Sequence, residues 1–247
     1  MDNPKSLRCA VVGRGRLGPA LAGGLEDAGH EVVGPLGREP IPVDLDVVIL
    51  AVPDGEIATV AATVPAGTLV GHCSGATGID VLGDRSGFLL HPLMTVTGPG
   101  TRFTGAGCAI DGTGDVALAT ARTIAEDLGM TPVQIADEDR AAYHAAASIA
   151  SNFLVTLEAA AEQLAATAGM DRALLGPLVE ATVKNWLALG PERALTGPIA
   201  RGDEATVARH QEALRRTAPE LLDLYSALAE RARAIASQPA EREGGPR

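Results

Sequence analysis

Short apolar segments alternate with helical patterns along the first half of the chain. Residues 7–12 form an apolar run that ends in a glycine-rich turn, and residues 19–28 carry a helical pattern. Residues 46–52 are continuously apolar after one aspartate, as expected of a strand that is buried on both faces of a parallel sheet. Repeated strand–helix units of this kind predict a doubly wound α/β fold with a parallel sheet.

The pattern changes after residue 136, where strand-like segments stop. Helices are predicted from there onwards, over residues 138–168, 172–189, 204–215 and 218–236. The sequence therefore predicts three parts, namely an α/β domain at 1–136, an all-α domain at 137–236 and a disordered tail at 237–247.

Charge and composition exclude several classes of protein. The chain carries 31 acidic and 20 basic residues, a net charge of −11, and has no basic stripe, so neither nucleic acid nor a membrane is expected as a partner. Cys9, Cys73 and Cys108 are spaced neither for a metal site nor for disulfides. The N-terminus lacks the apolar core of a signal peptide, and no apolar run reaches 18 residues. We expect a cytoplasmic protein without a metal.

The glycine-rich turn has the spacing G-x-G-x-x-G and stands between the first strand and the first helix. This spacing provides a tight turn, a close approach to a pyrophosphate, and close packing of helix on strand. A plain strand-to-helix turn is the alternative. The residues predicted to bind a dinucleotide here are Gly13, Arg14, Gly15, Arg16, Leu17 and Gly18.

The residues after the second strand decide which dinucleotide is expected. An NAD site has a carboxylate there, about 20 residues beyond the glycines, whereas this chain has Arg38. A guanidinium can bind two oxygens of a 2′-phosphate, so Arg38, together with Arg14 or Arg16, predicts NADP(H). Arg38 could instead be a solvated turn residue, and Glu39 could serve NAD in a shifted loop.

Two further loops follow predicted strands at the edge where a doubly wound sheet binds its ligand. Val52, Pro53 and Asp54 form one of them, and Ser74 lies in the other. We predict that these residues also line the cofactor. The alternatives are that Asp54 caps the next helix and that Ser74 only turns the chain.

Polar residues recur at steps of four on the first predicted helix of the all-α domain. His144, Ser148 and Asn152 interrupt a surface that is otherwise apolar or alanine, so the helix is predicted to be buried on most sides. Unpaired polar groups on a buried helix would cost about 1–3 kcal/mol each. A stripe facing a ligand is therefore favoured over hydrogen bonds to the neighbouring backbone.

A Gly/Pro-rich loop at 196–203 supplies another candidate. Arg201 lies beside a helix start and suits a carboxylate, although it could pair with Asp203 or Glu204 instead. His210, on the following helix, is a candidate ligand or a hydrogen-bonded core histidine.

Six segments carry a resemblance to a known family. The chain resembles Rossmann-like proteins with a C-terminal domain of unknown function 2520 over nearly its whole length. More distantly it is similar to ketopantoate reductases and pyrroline-5-carboxylate reductases. The segments are GRGRLG (13–18), AVPD (51–54), HCSG (72–75), HPL (91–93), YHAAASIASN (143–152) and LTGPIARGD (195–203).

The resemblance implies an NADPH-dependent reductase that acts on a small 2-oxo acid, most specifically 2-dehydropantoate (ketopantoate) in pantothenate synthesis. It also implies a homodimer formed through the helical domain. Alternatives are an imine (pyrroline-5-carboxylate-like) or deazaflavin-linked NADP oxidoreductase, or a non-catalytic NADP(H)-binding regulatory module.

Roles follow for the residues in the signature segments. His144 is expected to be the general acid, because histidine exchanges protons near neutral pH. Ser148 and Asn152 would orient the reacting oxygen, and Arg201 with Thr196 would bind the small anionic substrate. Ketopantoate reductases use a lysine near an asparagine, and Lys184 with Asn185 could imitate that pair, at a different spacing. Lys184 is therefore the alternative proton donor.

Overall fold

The structure is a computed structural model that describes residues 6–237. Apart from Ser237, the tail predicted at 237–247 lies outside the described residues. Contacts within the chain divide it into two compact units, one ending at Asn152 and the other beginning at Phe153. This division lies beyond residue 136, where the sequence pattern changes, because the helix that begins at Arg140 contacts the sheet.

A seven-stranded sheet forms the first unit, in the order β2-β1-β3-β4-β5-β6-β7. The strands are β1 (Arg8–Val12), β2 (Glu31–Leu36), β3 (Val47–Leu50), β4 (Leu69–His72), β5 (Gly87–Leu93), β6 (Gly107–Gly112) and β7 (Thr131–Gln134). This confirms the predicted doubly wound α/β fold.

One strand pairing departs from the all-parallel prediction. β6 runs antiparallel to β5, and β7 is parallel to β6. Residues 94–106 between β5 and β6 contain no helix. A parallel neighbour is usually reached through a helical crossover. This connection has no helix, and β6 pairs as an antiparallel strand.

Helices cover both faces of the sheet. α1 (Leu17–Asp27) and α3 (Asp115–Asp127) pack on one face, and α2 (Ile57–Ala61) packs on the other. Successive β1 residues alternate between the two cores, with Val11 in the first and Val12 in the second. Both cores are apolar, which explains why the central strands are apolar without interruption.

The order of the strands places a ligand edge at the carboxyl ends of β1 and β3. The chain moves from β1 outwards to β2 and then crosses to β3 on the other side of β1. Ligands of doubly wound sheets bind at such a reversal. Gly13 follows β1 there, and Ala51 follows β3.

Beyond β7 the described residues are helical. A short 3₁₀ turn (Asp137–Asp139) leads into α4 (Arg140–Ser148), followed by a π-helical turn (Ile149–Phe153). The later helices are α5 (Leu154–Thr167), α6 (Gly176–Ala194), α7 (Gly197–Ala200), α8 (Glu204–Thr217) and α9 (Leu222–Ala236). Gly190, with φ +74°, kinks α6.

The prediction that the helix carrying His144 is buried on most sides is wrong for the single chain. Ile149 is 61% exposed, Phe153 56% and Val155 69%. An apolar sequence indicates that a helix surface is unfavourable in water, but it does not indicate whether the same chain or another molecule covers that surface. Along residues 6–237, no helix is both long and apolar enough to cross a membrane.

Candidate active site at the carboxyl edge of the sheet

The three glycines of the turn have three different environments. A Cβ on Gly13, whose φ is +128°, would stand 2.1 Å from the Ala51 carbonyl oxygen, and one on Gly18 would stand 1.8 Å from the Gly13 carbonyl oxygen. A Cβ on Gly15 would meet no atom of the described residues within 4 Å. Gly13 therefore allows the tight turn, Gly18 allows helix α1 to pack on the strand, and Gly15 leaves the backbone open to a ligand.

The start of α1 is suited to an anion. Arg16 precedes the helix without a side-chain cap, and the first turn contains no acidic residue. The free N–H groups of this 11-residue helix can donate to phosphate oxygens. The loop therefore fits the pyrophosphate of a dinucleotide.

Two arginines lie near the end of β2, and a third precedes α1. Arg14 pairs with Glu39 through Nη2, and its Nε donates to the Pro35 carbonyl at 3.3 Å. Arg38 and Arg16 are exposed, and neither forms a hydrogen bond or ion pair with any other described residue. The pairing holds the Glu39 carboxylate at Arg14, while Arg38 and Arg16 remain available for a phosphate.

Asp54 and Ser74 tie the loops after β3 and β4 together. The Ser74 hydroxyl donates to Asp54 Oδ2 at 2.8 Å and accepts the Thr77 backbone N–H at 2.9 Å. Thr77 Oγ1 donates to the same carboxylate oxygen at 3.2 Å. Val52 and Pro53 lie in the first of these loops, beside β3. Both loops are thus held rigidly at the ligand edge.

His144 lies directly beside this edge. A Cβ on Gly75 would be 3.0 Å from His144 Cδ2 and 2.7 Å from His91 Cε1, so both imidazoles pack where only glycine fits. The His91 and His144 ring centres are 6.4 Å apart. His91 Nδ1 is also 2.6 Å from the Tyr143 hydroxyl.

His91, Tyr143 and Arg140 were not recognised as site residues from the sequence. His91 and Tyr143 are 52 positions apart, and no local pattern relates such distant residues. The available signal was that both belong to the segments HPL and YHAAASIASN that carry the family resemblance.

Arg140 anchors α4 to the sheet. The guanidinium is buried, with Nη2 3.1 Å from Asp111 Oδ2 and Nε 3.0 Å from Asp137 Oδ1. Asp111 belongs to β6, so the ion pair fixes the turn of α4 that carries Tyr143 and His144.

Burial controls the protonation of the neighbouring groups. Burial, assisted by the Arg140 charge, lowers the pKa of His72 to about 4. Burial and the nearby His144 lower the pKa of His91 to about 4 as well. Burial raises the pKa of Tyr143 to about 12. His91 and Tyr143 are therefore both uncharged at neutral pH.

The other polar residues of the predicted stripe continue along the helix. Ser148 is half-buried at the end of α4, and Asn152 is exposed within the π-helical turn. π-helical turns are rare in proteins overall, and those that occur are often found at functional sites. Asn152 is thus on a distorted segment rather than on the regular helix that the sequence predicts.

The remaining predicted residues lie in the second unit. Asn185 and Thr196 line the same cavity of about 480 Å³, while Lys184 lines a shallow depression on another side of α6. Both Lys184 and Asn185 are exposed. The structure therefore brings Asn185 to Thr196 but separates the side chains of Lys184 and Asn185.

Arg201 and His210 differ in their surroundings. The Arg201 side chain is exposed and makes no hydrogen bond or ion pair within residues 6–237, whereas Asp203 caps α8 by accepting the Thr206 N–H at 3.0 Å. His210 is exposed, and its Nδ1 is 2.9 Å from the Tyr225 hydroxyl. Arg201 is thus available to an anion, while His210 already has a partner.

A family model matches the second half of the chain. Residues 106–232 match the domain of unknown function 2520 (DUF2520). This protein belongs to the DUF2520 family. Tyr143, His144 and Arg140 lie within the matched residues of this DUF2520 protein, and the glycine loop precedes them.

Solved structures share the fold over nearly the whole DUF2520 chain. A Bacteroides fragilis protein described as a candidate NADP oxidoreductase is 21% identical with a TM-score of 0.79, covering 93% of this chain and 98% of its own. A Thermotoga maritima protein is 24% identical with a TM-score of 0.79, covering 93% and 100%. A pyrroline-5-carboxylate reductase of Streptococcus pyogenes is 15% identical with a TM-score of 0.62, covering 94% and 98%. Curated proteins show no match. At these identities the likeness establishes the fold.

Proposed function

We propose that this DUF2520 protein is an NADP-dependent reductase that transfers hydride to a small anionic substrate. The observation that carries the proposal is the difference in surroundings among the three glycines. Gly13 and Gly18 are in close contact with backbone atoms, whereas the space beside Gly15 is open. A turn that served packing alone would not need a glycine at the open position.

The residues at the sheet edge fit NADP(H). Gly13, Gly15 and the free N–H groups of α1 would hold the pyrophosphate. Arg38 and Arg16 would bind the 2′-phosphate, while Arg14 is held by Glu39. Val52, Pro53, Asp54 and Ser74 would border the cofactor along the ends of β3 and β4. The candidate NADP oxidoreductase from Bacteroides fragilis shares this fold and supports the choice.

The chain's own residues would supply the proton. Bound NADPH would supply the hydride, one hydrogen with two electrons, for a carbonyl carbon, so that the carbonyl oxygen would gain negative charge. His144 would donate one proton to that oxygen, giving the alcohol, and would be reprotonated from solvent. Ser148 and Asn152 would donate hydrogen bonds to the oxygen. His144 lies beside Gly75, the residue after Ser74, at the ligand edge, which supports its role over that of Lys184.

For the substrate we propose a 2-oxo acid, specifically ketopantoate. Arg201 and Thr196 are the candidates for its carboxylate, because the exposed Arg201 side chain has no ion-pair partner among the described residues and can form a bidentate pair. Asn185 shares the Thr196 cavity and joins them. We leave His210 out of the site because Tyr225 already binds it.

A cyclic imine is the second candidate substrate. The pyrroline-5-carboxylate reductase from Streptococcus pyogenes shares the fold, and a histidine acid can protonate an amine nitrogen as well as an alkoxide. The two candidates share a carboxylate and differ in the reacting double bond, C=O or C=N, and in the carbon skeleton that carries it.

NADPH oxidation by the purified protein tests the function. Ketopantoate, other 2-oxo acids and pyrroline-5-carboxylate are each offered with NADPH and with NADH. We expect turnover with ketopantoate and NADPH, and a loss of about 100-fold in kcat for His144→Gln. Turnover with pyrroline-5-carboxylate alone would show that the substrate is the cyclic imine and not ketopantoate. Tight NADPH binding without turnover on any compound would overturn the reductase and leave a binding module.

We also propose a homodimer formed through the helical unit. α6 has no buried residue over 19 positions. Leu178 is 65% exposed and Leu187 71%. Val183 lines two depressions that join these positions into one apolar surface, which also includes Leu154 and Val179. Large exposed apolar patches of this kind mark interfaces, and a second copy of the chain would cover it.

A further inference from the structure

His91 and Tyr143 form a pair to which the proposed function assigns no role. Nδ1 of His91 is 2.6 Å from the Tyr143 hydroxyl, and the two rings meet edge to face at 88° with centres 5.6 Å apart. Both side chains are half-buried. A hydrogen bond this short, supported by ring packing, holds the imidazole in one orientation.

The pair also determines which imidazole nitrogen carries the proton. Burial raises the pKa of Tyr143 to about 12, so its hydroxyl keeps its proton at neutral pH. Burial lowers the pKa of His91 to about 4, so its ring is neutral and carries one N–H. If Nδ1 carried it, the Tyr143 hydroxyl would have to accept, and its own proton would have no acceptor among the described residues; with the hydroxyl donating, Nδ1 accepts and the proton lies on Nε2.

The Nε2 atom points towards the ligand edge. A Cβ on Gly75 would be 2.8 Å from His91 Nε2 and 3.0 Å from His144 Cδ2, so both imidazoles border the same glycine after β4. Nε2 of His91 makes no hydrogen bond to any described residue, and His91 is partly exposed. A free donor is therefore held beside the proposed acid.

The charged groups around His91 act on its protonation in opposite directions. Asp54 favours the protonated ring, while His144 and Arg140 oppose it. Because two adjacent imidazolium ions repel each other, His91 stays neutral when His144 is charged. His91 can then donate a hydrogen bond without giving up a proton, while His144 transfers one.

We infer that His91 is a second donor of the reductase site, whose Nε2–H binds the reacting oxygen or nitrogen of the substrate, and that Tyr143 is the positioning residue that holds this tautomer. The inference rests on the proposed function. A neutral, oriented donor stabilises the negative charge that develops as hydride arrives.

Three substitutions distinguish a role of His91 as a hydrogen-bond donor from a purely structural role. His91→Asn keeps a polar group near the Nδ1 position but removes the donor at Nε2, and His91→Gln places an amide N–H near Nε2. We expect kcat to fall about 100-fold in His91→Asn with KM little changed. His91→Gln should retain kcat within about tenfold of the wild type. Tyr143→Phe, which keeps the ring but loses the hydroxyl, should lose about tenfold.

A matched control exists in the second unit. Tyr225 and His210 form the same kind of pair, with ring centres 6.0 Å apart at 85°. Tyr225→Phe should leave kcat and KM unchanged. If His91→Asn turns over like the wild type, or His91→Gln is no better than His91→Asn, the donor role is wrong.

Nitrogen-15 NMR of the histidine rings tests the tautomer without activity. The chain has five histidines, so the signals can be assigned by substitution. We expect His91 to carry its proton on Nε2 in the wild type and to lose this preference in Tyr143→Phe. A proton on Nδ1 in the wild type overturns the inference even if the enzyme is a reductase. A wild type without turnover overturns the reductase itself, whichever tautomer is found.

Discussion

Arg140 Nη2 lies 3.1 Å from Asp111 Oδ2, and this buried ion pair joins the first turn of α4 to β6. Because Tyr143 and His144 follow on the same helix, the pair determines where both side chains meet the sheet edge.

Arg140→Met is expected to leave Asp111 unpaired and to lower the free energy of unfolding by about 3 kcal/mol. Urea denaturation measures the shift. Arg172→Ala is the control, since Arg172 is exposed and lies 3.9 Å from Glu162, and its loss should cost less than about 0.5 kcal/mol. Equal midpoints for Arg140→Met and the wild type would contradict the anchoring role.

The glycine turn predicts opposite effects for two alanines. Gly15→Ala should fold normally and weaken NADPH binding by about tenfold or more, because its Cβ would occupy the open approach. Gly18→Ala should destabilise the fold, since the Cβ would collide with the Gly13 carbonyl.

Melting curves and NADPH fluorescence titration separate these two effects. Gly23→Ala, inside α1 with nothing within 4 Å, should stabilise the helix by about 0.5–1 kcal/mol and leave binding intact. NADPH affinity in Gly15→Ala equal to that of the wild type would place the cofactor elsewhere.

Arg38→Ala should lower the affinity for NADPH by about tenfold or more while leaving that for NADH unchanged, because only NADPH carries the 2′-phosphate. Isothermal titration with both nucleotides measures the two constants. Arg8→Ala, which removes an ion pair with Glu31 at the start of β1, is a matched surface change and should alter neither. A parallel loss for both nucleotides would show that Arg38 does not contact the phosphate.

Leu187→Glu in α6 is expected to convert the proposed dimer into a monomer, because a carboxylate buried without a partner at an interface is strongly unfavourable. Sedimentation velocity gives the mass. Val116→Glu, at a position 73% exposed on α3, should leave the mass unchanged. A wild type that sediments as a monomer would remove the proposal outright.

Acid should destabilise the protein through its buried histidines. The pKa of His72 falls from 6.5 to about 4 on folding, so the unfolded chain takes up a proton between these values while the folded chain does not. Stability is therefore complete above about pH 6.5 and declines towards pH 4, by about 3 kcal/mol for this residue. Urea midpoints at several pH values should fall less steeply in His72→Asn. Identical slopes would show that His72 does not contribute.

Local patterns were sufficient for the fold and for the cofactor loop. The apolar strands and the glycine spacing predicted the doubly wound sheet and the position of the glycine turn, because strand burial and tight turns depend on neighbouring residues. The antiparallel β6 was missed because the direction of a strand depends on the length and path of its connection.

The sequence by itself determined the sheet, the glycine turn and the helical character of the second half. Only the tertiary structure decided that His91 contacts Tyr143, 52 positions away, and that Arg140 forms an ion pair with Asp111. It also decided that the apolar sides of α5 and α6 are exposed. The physical reason is the distance along the sequence over which each kind of information acts. Periodicity records how a residue relates to its neighbours on one element, whereas hydrogen-bond partners and burial depend on which elements pack together.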